Sequence, residues 1–292
     1  MEYLQCRIGT IRTFEDIFAG FVPGHKAYYA DPSQFQVEPF QIFGNLYYVG
    51  DQKVCMHLVD TGDGLILFDS GYPHALECLL TSIRKLGFDP ADIRYVIHSH
   101  GHFDHFGCGD WLRDNYGCKI FMSRVDTELL REMPERALCH LGPWGGSPIC
   151  WPDEMVDDGQ DICLGNTTIH CRLAPGHTFG TLAFFFDVTN GKETKRVGYW
   201  GGVGLLTVYK AHCRAYNLPE NKCQLMKQTI EMLRRELVDI VIGNHPSQNC
   251  TLEKRQYWLT CPEHNPFDDP NTWGIILDTI EERRQEFESL GY

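Results

Sequence analysis

A short segment in the first half of the chain could bind a metal ion. Residues 99–105 read SHGHFDH, which places four potential ligands within six residues: His100, His102, Asp104 and His105. Imidazole nitrogen and carboxylate oxygen are ligands that Zn²⁺ and similar metals accept. A loop at a strand end can turn all four side chains toward one point, which a strand cannot. The segment therefore predicts a metal-binding loop.

Two later histidines, His177 and His245, stand in a similar context. His177 is preceded by Ala-Pro-Gly after one β-like run, and His245 is preceded by Gly-Asn after another. Glycine and proline at such exits let the backbone approach a site closely. Either histidine alone would be read as structural, but the loop at 99–105 favours a ligand role. We expect both to join the same centre.

The elements that must position these residues form two β-rich halves with helices outside. Apolar alternation and turn residues predict strands at 40–43, 46–50, 54–59, 65–69, 94–97, 119–122, 167–173, 181–187, 196–200 and 239–242. Helical spacing predicts helices at 75–86, 111–116, 124–131, 221–237 and 272–289. The stretch 134–160, rich in Pro, Gly and Trp, is expected to border the active site as a loop.

Composition excludes several classes of protein. The 292 residues are 43% hydrophobic and 22% charged, as in ordinary globular proteins. No apolar run reaches the roughly 18 residues of a membrane-spanning helix. The 26 basic and 39 acidic residues give a net charge of −13, which repels nucleic acid. The expected partner is a small molecule, and the oligomeric state stays open.

The start of the chain and its cysteines predict a cytoplasmic protein. No basic segment followed by an apolar stretch opens the chain, so we expect no secretory signal, and a periplasmic location only if one was removed. The 13 cysteines are scattered and include no CxxC pair. Most are expected to be reduced and buried. A disulfide such as Cys139–Cys150 remains an open alternative.

The chain resembles the metallo-β-lactamase superfamily over roughly residues 38–290. Its landmarks are a strand ending in Asp, an H-x-H-x-D-H loop and two later lone histidines. Here Asp69, the loop at 100–105, His177 and His245 occur in that order. The implied fold is an α/β, four-layer αββα sandwich.

The resemblance extends to the third subclass of metallo-β-lactamases. The segments EPFQIFGNLYYVG at 38–50 and NPFDDP at 265–270 are similar to that subclass. The implied organisation is an N-terminal extension at 1–37 followed by one metallo-β-lactamase-like domain at 38–292.

The resemblance also implies two zinc ions per chain. His100, His102 and His177 would hold the first ion, and Asp104, His105 and His245 would hold the second. Three protein ligands for each ion leave positions for water, as in catalytic sites. A metal-bound hydroxide would attack a carbonyl, and Asp104 would hold the second ion and orient the hydroxide.

Three further residues are candidates for supporting roles. Asp69 is expected to fix a ligand or backbone near the metals, with a capping carboxylate at a strand end as the alternative. Asn244 could donate a hydrogen bond to a substrate oxygen. Trp144, in the long loop, could form an apolar wall over the substrate. His98 is expected to face the core.

One segment departs from the superfamily pattern. Many members carry an Asp, a Cys or serines after a late strand, whereas residues 197–204 read VGYWGGVG. The missing Asp fits the third subclass, and the missing serines weaken the case for β-lactam recognition. One hypothesis is that the glycines at 201–204 leave room for a bulkier substrate.

The expected function is a di-zinc hydrolase acting on a cyclic amide or ester or another small acyl compound, with β-lactams and antibiotic resistance as one version. A lactonase or thioesterase without β-lactamase activity is the first alternative. An iron-dependent oxidoreductase on the same fold is disfavoured by His102 and the complete second ligand set. The net charge of −13 opposes a nuclease. The native metal, zinc or iron or manganese, is not determined by the sequence.

Overall fold

Two β-sheets packed face to face form the centre of the protein. The computed structural model describes residues 25–141, 148–289 and 291. One sheet has seven strands in the order β1-β2-β3-β4-β5-β6-β7: Phe40–Phe43, Leu46–Tyr48, His57–Asp60, Leu65–Phe68, Ile93–Ile97, Lys119–Ser123 and Glu154–Val156. The other has five strands in the order β12-β11-β10-β9-β8; in chain order β8 to β12 are Asp161–Leu164, Thr167–Leu173, Leu182–Thr189, Thr194–Trp200 and Ile240–Gly243.

Helices cover the outer faces of both sheets. In the described ranges, α1 to α9 are 25–30, Leu76–Lys85, Phe103–Phe106, Gly109–Tyr116, Arg124–Glu132, Lys210–Ala215, Lys222–Leu233, Thr251–Thr260 and Asn271–Ser289. Apolar side chains of α2 and α4 pack on the seven-stranded sheet, and those of α7 and α9 pack on the five-stranded sheet. The layers are therefore helix, sheet, sheet, helix, which confirms the predicted αββα sandwich.

Aromatic rings fill the space between the sheets. Phe68 of β4 lies 5.2 Å from Phe184 and 5.1 Å from Phe186, both on β10, measured between ring centroids. Its ring also meets Tyr199 of β11 edge-on at 5.7 Å. Because β4 is covered on both faces, all four of its residues are buried, and it reads as a continuous apolar run.

Parallel pairing brings the predicted site loops to one edge of the sandwich. β4 pairs in parallel with β5, and β11 pairs in parallel with β12. The carboxyl ends of parallel strands meet at the same sheet edge, where ligand sites of α/β proteins form. Asp69 follows β4, the loop at 98–102 follows β5, and His245 follows β12.

Most predicted elements are present, and the differences have local causes. The predicted helix at 221–237 ends at Leu233, because the chain must turn before entering β12 at Ile240. Helix α8 was not predicted, since it buries only Thr251 and Lys254 and shows no apolar stripe. Part of the predicted long loop at 134–160 forms β7, and residues 142–147 lie outside the described residues.

The predicted N-terminal extension at 1–37 is only partly described. Residues 1–24 lie outside the described ranges, and α1 and the turn Pro32–Phe35 come before β1. Tyr28 of α1 is fully buried, and its hydroxyl donates to Asp51 at 2.5 Å. The described part of this segment therefore packs on the domain, and the boundary at 37/38 stays a prediction.

Two further expectations concern cysteines and membranes. Of the twelve described cysteines eight are buried, and all twelve, including Cys139 and Cys150, are free thiols, so the alternative disulfide is absent. No helix in the described ranges has the length and apolarity to cross a membrane.

Candidate metal centre

Three imidazoles converge at the edge of the sandwich and form the first donor group: His100, His102 and His177. Nδ1 of His102 lies 2.9 Å from Nε2 of His100 and 3.1 Å from Nε2 of His177. His100 is fully buried and His102 is 6% exposed. Residues more than 70 positions apart in the chain thus present nitrogen atoms to one point.

A second donor group lies beside the first and contains Asp104, His105 and His245. Oδ2 of Asp104 lies 3.4 Å from Nε2 of His105 and 3.6 Å from Nε2 of His245. The rings of His100 and His105 are 4.4 Å apart between centroids, so the two groups are neighbours. Within each group the candidate ligand atoms all lie within 4.8 Å of one another. The structure thus brings together all six residues that the sequence singled out as ligands.

In the first donor group, two outer ring nitrogens, which point away from the centre, donate hydrogen bonds to glycine carbonyls. Nδ1 of His100 donates to the carbonyl oxygen of Gly201 at 2.7 Å, and Nδ1 of His177 donates to that of Gly204 at 2.8 Å. A neutral imidazole carries one proton, so Nε2 of both rings is an unprotonated acceptor. Two lone pairs then face Nδ1 of His102.

The second donor group has the same arrangement with different acceptors. Nδ1 of His105 donates to Oδ2 of Asp69 at 2.9 Å, and Nδ1 of His245 donates to the carbonyl oxygen of Lys53 at 2.8 Å. Nε2 of His105 is buried and has no hydrogen-bond partner among the described residues. In the first donor group, unprotonated nitrogens that face one another repel unless a cation lies between them. In the second group, Nε2 of His105 faces the carboxylate of Asp104, where either a proton or a metal cation balances the negative charge. Both groups therefore fit zinc in residue type and in the tautomers of their histidines.

Asp69 is the hub of a buried hydrogen-bond network at the end of β4. It is fully buried and accepts from the backbone N and the Oγ of Ser99 at 2.7 and 2.8 Å. It also accepts from Tyr199 Oη at 2.6 Å, in addition to His105. Its φ of +57° is left-handed, a conformation that Asp tolerates better than most residues. The contact with His105 places Asp69 behind a candidate ligand, and its supporting role stays a prediction.

Burial and mutual repulsion set the protonation of the first donor group. Burial holds the pKa of His100 and of His102 well below the ordinary histidine value, with neighbouring histidines adding to the effect. Burial lowers the pKa of His177 to about 3. These imidazoles are therefore neutral at physiological pH, the state in which they can bind a metal.

The second donor group is governed by carboxylates. Burial alone would lower the pKa of His105, but Asp104 and Asp69 outweigh burial and raise it to about 10. Burial raises the pKa of Asp104, but the nearby His105, His245 and His100 outweigh burial and hold this pKa well below its usual range. Asp104 is thus an anion at neutral pH, and it is the one carboxylate among the six donors.

Sequence reasoning missed Asp126, which ties the two site loops together. Its buried carboxylate accepts from the backbone N of Gly101, the Oγ1 of Thr178 and the backbone N of Gly180, each at 2.8 Å. It thereby links the loop of His100 and His102 to the loop of His177. No signal marked it in the sequence, because an acidic residue in the first turn of α5 reads as an ordinary helix-start residue.

The glycines at 201–204 have a role other than the one hypothesised. Gly201 and Gly204 supply the carbonyl acceptors for the first donor group. A Cβ on Gly202 would lie 3.0 Å from Cβ of His177, and one on Gly204 would lie 3.2 Å from its ring. The segment therefore packs against the ligands instead of leaving space for a substrate.

The remaining candidates either do not join the metal centre or lie outside the described residues. Asn244 is 1% exposed, and its Nδ2 donates to the carbonyl oxygen of Gly201 at 2.5 Å. It supports the backbone behind His100, so its predicted bond to a substrate oxygen gains no support. His98 is fully buried, 3.3 Å from Ser70 Oγ, as expected of a core residue. Trp144 lies outside the described residues.

An αββα sandwich with paired His and Asp donor groups at its strand ends defines a class of metalloproteins. The sequence model of the metallo-beta-lactamase superfamily matches residues 50–136. The solved structure of BJP-1, a subclass B3 metallo-beta-lactamase of Bradyrhizobium japonicum, superposes with a TM-score of 0.74 at 25% identity, covering 89% of this chain and 97% of that one. FEZ-1 metallo-beta-lactamase from Legionella gormanii gives a TM-score of 0.76 at 25% identity, covering 87% and 95%.

Curated relatives match over shorter segments. A probable polyketide biosynthesis zinc-dependent hydrolase, PksB of Bacillus subtilis, is 26% identical over 38% of this chain and 41% of its own length. An N-acyl homoserine lactonase of Bacillus thuringiensis is 23% identical over 46% of this chain and 58% of its own length. The chain thus spans about half the length of these relatives.

Residues 50–136 thus match the metallo-β-lactamase superfamily, and the structural neighbours reported above are of subclass B3. This confirms the resemblance inferred from the sequence. Together with the two donor groups, the matches support the predicted class of zinc-dependent hydrolase.

Proposed function

We propose that this protein is a di-zinc hydrolase that cleaves a small acyl compound, such as a cyclic amide or an ester. The observation that carries the proposal is the pair of adjacent donor groups, each with three converging ligand atoms. Four of the five histidines among the six donors are held in one tautomer by an oxygen acceptor on the outer nitrogen. A site with three protein ligands leaves positions open for water and substrate.

The proposed roles of the residues follow from their contacts. The first donor group would hold one zinc ion and the second the other. Bound zinc ions lower the pKa of water and polarise a carbonyl oxygen. Asp104 would hold the second ion and can accept a hydrogen bond from water through its carboxylate, whose side chain is 14% exposed. Asp69 fixes the ring of His105, and Asp126 fixes the backbone of the metal loop.

The proposed substrate class rests on the names of similar proteins and on one segment of the sequence. Structural neighbours carry the name metallo-beta-lactamase, and one curated relative is a lactonase. The stretch 197–204 has no Asp, Cys or Ser, which favours a lactonase or thioesterase over a β-lactamase. Hydrolysis of β-lactams, and with it antibiotic resistance, is one outcome of the test below.

The test is a hydrolysis panel of lactams, lactones, thioesters and phosphoesters with zinc-loaded protein. We expect turnover in one carbonyl class and two zinc ions per chain by elemental analysis. The His102→Ala variant should be inactive, and His170→Ala is the matched control, because His170 is exposed and pairs with Asp161 away from the centre. Turnover that is equal in the wild type and His102→Ala would refute the proposal. One iron per chain in protein purified without added metal would instead favour an oxidoreductase.

A further inference from the structure

A small recess adjoins the metal centre at His102. Its walls include Asp126 and Leu130 of α5, Phe179 from the loop after His177, and two cationic residues, Arg136 and Lys222. It holds about 30 Å³, which is room for about two water molecules. A small polar group such as a carboxylate fits a space of that size.

Arg136 has unused hydrogen-bond donors in this region. Its Nη2 lies 2.7 Å from the sulfur of Met133 and 3.5 Å from the carbonyl oxygen of Asn217. Its Nε and Nη1 are shielded from solvent, and neither has a hydrogen-bond partner among the described residues. A buried donor without a partner destabilises the folded protein, so such groups call for an explanation. A ligand that enters the recess would supply the missing acceptor.

Lys222 brings a second cation to the same recess. It is 3% exposed and stands at the start of α7. Its ammonium donates to the carbonyl oxygens of His177 at 3.0 Å and Thr207 at 3.2 Å. An ammonium has three N–H groups, so these contacts leave one for a further acceptor.

The charges of the recess suit a monoanion. Arg136 and Lys222 contribute two positive charges, and Asp126 contributes one negative charge, which is already satisfied by three donors. The net local charge is therefore +1, inside a protein whose overall net charge is −13. A carboxylate matches this charge and the planar donor edge of arginine, whereas a phosphate dianion exceeds it.

We propose that this recess binds a carboxylate of the substrate, and that the hydrolase acts on acyl compounds that carry a free carboxylate. This inference rests on the proposed hydrolytic function, because only a hydrolase would have such a substrate. The recess adjoins His102, so a substrate with its carboxylate held there would have its acyl group beside the metal centre. No residue of the glycine-rich stretch at 197–204 lines this recess, and the hydroxyl of Tyr199 is engaged with Asp69.

The first experiment measures binding of ¹³C-formate to zinc-loaded protein by NMR titration. Arg136→Gln should weaken formate binding at least about tenfold, because it removes the charge-assisted bonds. Arg136→Lys should weaken it less, since it keeps the charge without the planar fork. Arg131→Gln is the matched control, because it removes an exposed arginine from helix α5, just before the turn Pro134–Ala137 that carries Arg136. Equal formate affinity in the wild type and Arg136→Gln would overturn the proposal, since formate would then bind the metals alone.

The second experiment compares carboxylate-bearing and carboxylate-free members of the substrate class that the panel identifies. In Arg136→Gln, KM for the charged member should rise at least about tenfold with kcat little changed, and KM for the neutral member should stay constant. Equal effects on both members would also overturn the proposal. If no class is cleaved while formate binding still depends on Arg136, the hydrolase proposal fails and the carboxylate site stands.

Discussion

The two donor groups are built by different means, although they share one edge of the sandwich. The first consists of imidazoles alone, and backbone carbonyls of Gly201 and Gly204 hold two of its rings. The second contains the carboxylate of Asp104 and depends on the buried anion Asp69. It is also the more open group, since the side chain of His245 is 35% exposed.

This difference indicates where each group is vulnerable. The first group depends on close packing of the backbone, so added volume should damage it more than a change of charge. The second group depends on two carboxylates, so loss of charge should damage it more than a change of shape. The following substitutions test this contrast, first in the second group, from the largest expected effect to the smallest, and then in the first group.

Asp104→Asn should have the largest effect. It removes the one anionic ligand, so zinc content should fall from two ions to one per chain, and activity should fall by more than about 100-fold, the upper range for loss of an outer partner. Elemental analysis and steady-state kinetics measure both. Asp161→Asn, at an exposed carboxylate, is the control. Full retention of two tightly bound zinc ions would contradict the contrast.

Asp69→Asn should weaken the second group without touching the first. The amide keeps the shape and tolerates the left-handed backbone, but it places N–H groups where Ser99, His105 and Tyr199 donate. Zinc affinity at the second group should fall about 10–100-fold. Stability of the zinc-free protein should fall by about 3 kcal/mol in urea unfolding.

Tyr199→Phe sharpens the same comparison with a smaller change. It removes one of the four donors to Asp69 and leaves the other three in place. The expected loss of stability is about 1 kcal/mol, with little change in zinc affinity. A loss as large as that of Asp69→Asn would mean that the hydroxyl, and not the carboxylate, organises the network.

Gly202→Ala tests the packing of the first group. The new methyl would lie 3.0 Å from Cβ of His177, so the ring must shift. We expect the first zinc ion to bind about tenfold more weakly, as overpacking costs about 1–3 kcal/mol, while the second ion is unaffected. Competition with a chromophoric chelator resolves the two affinities. Weakening of the second ion alone would reverse the proposed contrast.

Gly274→Ala is the matched glycine control and should have the smallest effect. A Cβ there meets nothing within 4 Å, and the residue lies inside helix α9. The substitution should stabilise the protein by about 0.5–1 kcal/mol through helix propensity. Zinc affinity of both groups should remain that of the wild type in the same chelator assay.

Much of the fold and the six candidate ligands could be predicted because their signals are local. The strand at Thr167–Leu173 has its predicted bounds, and the donors stand at strand exits with a distinctive spacing. Helix α8 and Asp126 were missed because neither has a local signal: the helix lacks an apolar stripe, and the carboxylate resembles a surface acid until the fold buries it.

The sequence by itself determined which side chains can bind metal and in what order the strands carry them, because ligand type and strand period are properties of neighbouring residues. Only the tertiary structure decided which nitrogen of each histidine faces the centre. That choice depends on oxygen acceptors up to 192 residues away, as with the carbonyl of Lys53 and His245. Backbone carbonyls occur at every residue, so no pattern of side chains reveals which of them will accept a hydrogen bond from a ligand histidine.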